Sequence, residues 1–187
     1  SIHDNLTKIY NRKAYDTKIE ETLADMNRYN ISSSILLCDI DHVKRINDSF
    51  GHYIGDLTLK KVAHIFRNKL RKNDFVARYG GEEFICILPH TGLEDARKAA
   101  EEICSFINNA VFTFKGKEVS ITTSIGVSTL RKEDNALSVF ERADVALYMA
   151  KASGRNLVKT EHDVEKAGET FSNSIIDTDD DNDNFNK

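Results

Sequence analysis

The order of apolar periods along the chain leaves few folds open. Residues 11–29, "NRKAYDTKIEETLADMNRY", place Ala14, Ile19, Leu23 and Met26 on one helical face, and "SSILLCD" (33–39) follows as a continuous apolar run of the kind a strand buried on both faces requires. The helical period returns in "GDLTLKKVAHIFRNKL" through Leu59, Val62, Ile65, Phe66 and Leu70. Two strand-like runs, "DFVARY" and "EFICIL", then flank Gly80 and Gly81, a hairpin signal because a tight turn needs positive φ. A helix in "LEDARKAAEEICSFINNA", two strands about a Gly-Lys turn in "VFTFKGKEVSITTSIGVSTL", a helix in "ALSVFERADVALYMAKASG" and a short strand in "NLVKT" complete the pattern. Its centre reads β, helix, β-hairpin, helix, β. That is the split βαβ plan of an α+β domain, an antiparallel sheet with helices packed on one face.

The 187 residues suffice for one domain with a real core and are too few for two comfortable ones. With 40% hydrophobic and 30% charged residues the composition is that of a soluble globular domain. No apolar run approaches the roughly 18 residues that span a bilayer, so no membrane contact by this domain is expected. The opening "SIHDNLTKIY" lacks both Met and an apolar signal region, as in a piece cut from a longer protein or a processed chain. Cys38, Cys86 and Cys104 stand singly in apolar runs, which points to small core residues of a cytoplasmic protein and away from a disulfide framework or a zinc site.

Charge is unevenly spread. Residues 161–187 hold nine acids and two lysines, which leaves 21 acids against 24 Lys plus Arg in residues 1–160. That body is mildly basic, compatible with a phosphate-bearing ligand and too weakly charged for a nucleic-acid track. The expected division is a domain at 1–160 and an acidic, disordered tail at 161–187, which buries too little to offset its ordering entropy.

On this plan Asp39 and Asp41 follow the buried strand, and Glu82 and Glu83 sit at the hairpin tip. Neighbouring strands would bring these ends together, where carboxylates repel one another unless a cation neutralises them; a hard divalent ion with oxygen ligands is the usual solution. Mg²⁺ suits best, since it takes few protein carboxylates and keeps positions for water and phosphate. Taken singly, each acid reads as a solvated turn residue. An Asp-x-Asp at a strand end together with Gly-Gly-Glu-Glu at a hairpin favours the ion.

The stretch "GGEEF", residues 80–84, resembles the signature of GGDEF-domain diguanylate cyclases in its variant with Glu at the third position. Three further blocks stand in the family's order: "DNLTKIYNR", "CDIDHVKRINDSFGHYIGD" and "ALYMAKASGRN", so the resemblance covers residues 4–159. It implies an α/β (α+β) domain with a βαββαβ ferredoxin-like core, of the nucleotidyl-cyclase and polymerase-palm type, flanked by helices. It also implies an enzyme that joins two GTP into cyclic di-GMP and two pyrophosphates, with two Mg²⁺ per active site (Mn²⁺ as a substitute), acting as a homodimer.

Residue by residue, the resemblance makes Asp39, Glu82 and Glu83 the catalytic acids and metal ligands, with the Ile40 carbonyl as a neutral ligand. His42, Val43 and Lys44 fall at a phosphate-binding turn, where Val43 replaces the family's usual Phe, and Gly80 and Gly81 keep bulk away from the phosphates. Lys151 and Arg155 would meet the far end of the triphosphate. Asn47 and Asp56 would read the guanine edge; as a residue alone, Asp56 is explained equally by capping the following helix. His42 and His52 invite a general-base role, although a lone turn histidine is more often a hydrogen-bonding residue.

Upstream, Arg71 and Asp74 stand at the spacing of the family's R-x-x-D inhibitory site for product, and an ion pair at a helix end would account for them too. Arg78 would assist there or only neutralise nearby acids. Asp4, Asn11 and Arg12 have no catalytic role in this reading, and Thr7 is expected to cap the first helix. The alternative function is a catalytically weak module that binds cyclic di-GMP or GTP; a relative with another nucleotide product shares the same metal logic.

Overall fold

The computed structural model describes residues 1–182. In chain order its elements are α1 (Arg12–Tyr29), β1 (Ser34–Ile40), α2 (Val43–Phe50), α3 (His52–Lys69), β2 (Phe75–Gly80), β3 (Glu83–Leu88), α4 (Leu93–Asn109), β4 (Phe112–Phe114), β5 (Lys117–Val119), β6 (Thr123–Thr129), α5 (Ala136–Ala152), β7 (Val158–Thr160) and α6 (Glu161–Asn182). Five strands form one sheet in the order β2-β3-β1-β6-β7, antiparallel except for the last pair, and β4 and β5 form a separate hairpin. The β1-α2/α3-β2-β3-α4-β6 core is the expected split βαβ plan.

β1 is buried along its whole length because its side chains feed two cores. Leu36, Cys38 and Ile40 join residues of α2, α3 and α4 on one face; Ile35 and Leu37 join Tyr15, Ile19 and Leu23 of α1 and Val139, Ala143 and Leu147 of α5 on the other. The crossover helices do share one face, but the expectation of helices on one face only is corrected: α1 and α5 cover the second. A strand apolar on both sides demands cover on both sides.

α5 lies very close to β6. A methyl group at Gly126 would overlap the Ala143 carbonyl oxygen and the Leu147 nitrogen and stand 3.0 Å from Leu147 Cα, so only glycine lets the helix settle there.

Local differences from the sequence reading have identifiable causes. The first helix is capped by Asn11, whose side chain accepts from the Ala14 N–H at 3.0 Å; Thr7 instead donates to Asp4. Residues 111–130 hold three strands and not two, since Lys115 and Gly116, both at positive φ, turn β4 back on β5 before β6 begins. The segment from residue 161 starts as a helix where composition predicted a tail. Thr160 and Asp163 exchange capping bonds there, and Arg142 Nε donates to the buried Glu161 Oε2 at 2.7 Å, so a few contacts with the body order what its composition alone would not. Residues 183–187 of the expected tail lie outside the described residues.

Candidate active site

Strand register decides which acids meet. In the antiparallel β1–β3 pair Asp39 stands opposite Glu83 and Cys38 opposite Phe84, so the end of the buried strand lies beside the start of the second hairpin arm. The turn folds back over that end: the Ile40 N–H donates to the Glu82 carbonyl at 3.1 Å. Of the two turn glycines only Gly81 has positive φ, +35°, and a register shift between Arg78 and Gly80 supplies the rest of the bend. A side chain at Gly80 or Gly81 would meet nothing within 4 Å, so the space above the turn is open. Glu82 is exposed at the tip and Glu83 half-buried.

Burial raises the pKa of Asp39; the Lys151 ammonium, which donates to its Oδ2, opposes the rise and Asp41 adds to it. Glu83 is raised as well, first by burial and then by Asp39. Two carboxyls raised by burial, with the charge of Asp39 raising Glu83 further, mark a spot short of positive charge, and Lys151 supplies part of it. The donors to hand, two carboxylates and the nearby Ile40 carbonyl, are all oxygen and suit a hard divalent cation. Among the described residues no three His, Cys, Asp or Glu side chains cluster as a ready metal site.

Asp41 is a different kind of acid from Asp39, although the two are separated by one residue. Its Oδ1 accepts from Ser124 Oγ at 2.7 Å, and its Oδ2 from Thr122 Oγ1 at 2.7 Å and the Asn156 N–H at 3.1 Å. These bonds tie the end of β1 to β6 and to the approach to β7, and they remove Asp41 from the acids that could hold an ion.

The turn expected to receive phosphate becomes the start of α2. His42, exposed and at φ 59°, precedes it without a side-chain cap, Lys44 is exposed, and the first helical bond runs from the Ile46 N–H to the His42 carbonyl at 3.2 Å. The earlier N–H groups of that turn therefore face outward, as at any helix start. Val43 is buried in the core, a packing position. Arg155 is exposed beyond α5, and its charge, with that of Lys151, opposes the upward shift of Asp39.

Asn47 is half-buried on α2, and Asp56 is exposed in the second turn of α3. Gly51, not Asp56, occupies the N-cap of α3, which removes capping as an explanation of Asp56.

The family described as "Diguanylate cyclase, GGDEF domain" matches residues 1–157. The chain belongs to the GGDEF family. It is 44% identical over 156 residues to diguanylate cyclase DgcP of Pseudomonas aeruginosa, a match covering 83% of this chain and 23% of that protein. Among solved structures, the GGDEF domain of DgcB from Caulobacter crescentus in complex with c-di-GMP superposes with TM-score 0.84 at 33% identity, over 87% of this chain and 96% of that one. The active GGEEF domain of a diguanylate cyclase from Vibrio cholerae superposes with TM-score 0.75 at 34% identity, over 81% and 96%. This GGDEF chain spans about a quarter to a third of the length of the curated relatives it matches.

Away from the acid pair, Arg71 and Asp74 of the GGDEF chain form a closed turn between α3 and β2. The Arg71 N–H donates to Asp74 Oδ2 at 2.8 Å and the Asp74 N–H returns to the Arg71 carbonyl at 3.0 Å. The Asp74 carboxylate thus bonds to backbone, and the exposed Arg71 side chain borders a groove of about 780 Å³ shared with Lys98, Glu102 and Phe106 of α4.

Sequence reasoning missed the part played by the opening block. Arg78 Nε donates to the Gly81 carbonyl at 2.9 Å while its Nη1 reaches Asp4 Oδ1 at 3.3 Å, and Asp4 Oδ2 accepts from the Thr7 N–H and hydroxyl at 2.8 and 2.7 Å. One guanidinium therefore ties the hairpin turn of the GGDEF domain to its N-terminal turn. Thr three residues after Asp in "DNLT" signals the turn, but nothing in the sequence names a partner 74 residues away.

Proposed function

We propose that this GGDEF chain is the catalytic domain of a diguanylate cyclase, which joins two GTP molecules into cyclic di-GMP and releases two pyrophosphates. For each of the two bonds, the 3′-oxygen of one nucleotide attaches to the α-phosphorus of the other, the bond from that phosphorus to pyrophosphate breaks, and the hydroxyl proton passes to solvent. The reading is carried by Asp39 facing Glu83 across β1 and β3, beside Lys151, in a chain of this family. It is supported by the relative from Vibrio cholerae, which bears the same five-letter signature and is described as active.

Asp39, Glu82, Glu83 and the Ile40 carbonyl would hold divalent cations, two Mg²⁺ per site with Mn²⁺ as a substitute. When bound, these would neutralise triphosphate charge and acidify the attacking 3′-hydroxyl. The chain's own groups do the positioning. Lys151 and Arg155 bind the outer phosphates, and the open N–H groups at the start of α2, with Lys44, receive the inner ones. The Asp56 carboxylate accepts from guanine N1–H and the exocyclic amine, with Asn47 beside it; adenine lacks those donors, so GTP is preferred over ATP.

One nucleotide per chain and a symmetric product require two chains to face each other. The DgcB domain carries c-di-GMP, and the Arg71–Asp74 turn is the place where product would bind and inhibit this chain. Use of GTP, a nucleotide made in the cytoplasm, supports a cytoplasmic location for the domain.

The test is incubation of the chain with GTP and Mg²⁺ and identification of the product by mass. Cyclic di-GMP, formed at a rate per chain that rises with protein concentration, is expected. Guanine-nucleotide binding with no product at any concentration would instead show a binding module, and another product mass would show a different nucleotidyl transfer.

A further inference from the structure

We propose that Gly55 is a specificity-positioning residue: by carrying no side chain it leaves α3 a notch that holds the Asn47 amide against the first turn of that helix, next to Asp56, in the orientation that meets a guanine base. The proposal rests on the assignment of Asn47 and Asp56 to the base and deepens it.

Gly55 is a buried glycine inside α3, with an ordinary helical bond from its N–H to the Gly51 carbonyl at 3.2 Å and no positive φ. Its backbone therefore does not call for glycine, and glycine is the poorest helix former after proline. Something other than conformation accounts for it. A methyl group built at Gly55 would overlap Asn47 Oδ1 and stand 2.9 Å from Asn47 Cγ and 3.5 Å from Nδ2. No other atom outside Gly55's immediate chain surroundings comes as near to that methyl position.

The obstacle is thus the end of one flexible side chain. α2 and α3 need not separate to admit an alanine; the Asn47 amide would swing out instead. Among the described residues the amide makes no hydrogen bond that would hold it in place, so the notch beneath it is what fixes its position. A base-reading amide gains selectivity from being held before the ligand arrives.

The expected behaviour of Gly55→Ala is therefore unusual: a fold as stable as the parent or more so, with weaker guanine binding. The experiment measures, by calorimetry in Mg²⁺, the affinity of the full chain for a non-reacting GTP analogue with a methylene group between the α and β phosphorus atoms, and for its adenine counterpart. The parent, Gly55→Ala, Asn47→Ala and the double variant are compared, each with its thermal midpoint. Loss of one base contact should weaken the guanine analogue about tenfold in Asn47→Ala and by a similar factor in Gly55→Ala. The adenine analogue should change little. The double variant should bind no more weakly than Asn47→Ala alone, because the displaced amide is no longer there to lose.

Unchanged guanine affinity in Gly55→Ala with weakened Asn47→Ala would overturn the positioning role and leave the base assignment standing. Unchanged affinity in Asn47→Ala would overturn both. A Gly55→Ala chain that failed to fold would also contradict the proposal, since it would show that more than one side chain had to move.

Discussion

Asp39 on β1 stands directly opposite Glu83 on β3, and burial raises the pKa of both carboxyls. A carboxyl whose folded pKa lies above its unfolded value opposes folding when ionised, and the opposition fades as pH falls through the folded pKa. Lys151 offsets only part of this charge. In the absence of metal, Glu83→Gln should therefore raise the melting temperature at neutral pH by about 1–3 °C, a small gain because the site is half open to solvent. The gain should shrink as pH is lowered toward the ordinary carboxylate range, and the same variant should lose about a thousandfold in cyclic di-GMP synthesis. Melting curves at several pH values, without Mg²⁺, check the first part, and product assays the second. A variant less stable than the parent at neutral pH would contradict the electrostatic reading.

Arg78 gives a second prediction, concerning the hairpin that carries Glu82 and Glu83. Burial pushes the Asp4 carboxyl up, but hydrogen bonds from Thr7 and Arg78 outweigh it and hold the group below its usual range. The stability this contributes is present above the unfolded pKa and is lost as pH falls through the folded one. Asp4→Asn should cost about 1 kcal/mol near neutrality, or about 2–4 °C, and the deficit should close in acid. Arg78→Lys cannot reach both the Gly81 carbonyl and Asp4, so its effect combined with Asp4→Asn should be less than the sum. Strict additivity in chemical denaturation would show that the two residues do not act as one link.

Much of this arrangement is legible in the sequence, for a physical reason. β1 and β3 are apolar runs and Gly80-Gly81 marks the hairpin turn before β3, so burial and turn chemistry write them, and their order brings Asp39 and Glu83 to neighbouring strand ends. What lies hidden depends on partners far along the chain. Asp39 and Asp41 look alike in "CDID", yet one is bonded by Lys151 and the other is consumed by Thr122, Ser124 and Asn156. Composition makes residues 161 onward read as a tail because it weighs their acids and not the arginine that grips Glu161. Nothing in the sequence singles out Gly126, and the backbone of α5 lying against it explains the choice.

That close approach can be tested by itself. Gly126→Ala would press a methyl group into backbone atoms of α5, which cannot rotate away, so destabilisation of about 1–3 kcal/mol is expected, with Gly126→Val worse. Because α5 also carries Lys151, synthesis should fall by more than the loss of folded protein explains. Chemical denaturation alongside rates per folded chain would separate the two effects. A neutral Gly126→Ala would mean that α5 sits farther from β6.

The Arg71–Asp74 turn offers a prediction about regulation. Since the Asp74 carboxylate bonds to backbone and not to the Arg71 guanidinium, that guanidinium remains exposed for an incoming phosphate or guanine edge. Arg71→Ala should raise the concentration of added cyclic di-GMP needed for half-inhibition by about tenfold or more while leaving the uninhibited rate close to that of the parent. Equal inhibition curves would remove this turn from the product site.

The proposed chemistry depends on Asp39 and Glu83 together holding the cation that carries GTP. A crystal of the chain grown with Mn²⁺ and the non-reacting GTP analogue, with anomalous scattering to locate the metal, tests it most directly. An ion bonded to both carboxylates is expected, with phosphate oxygens completing its shell and Lys151 turned from Asp39 to the triphosphate. Nucleotide bound with Lys151 still on Asp39, and no ion between the two acids, would contradict it.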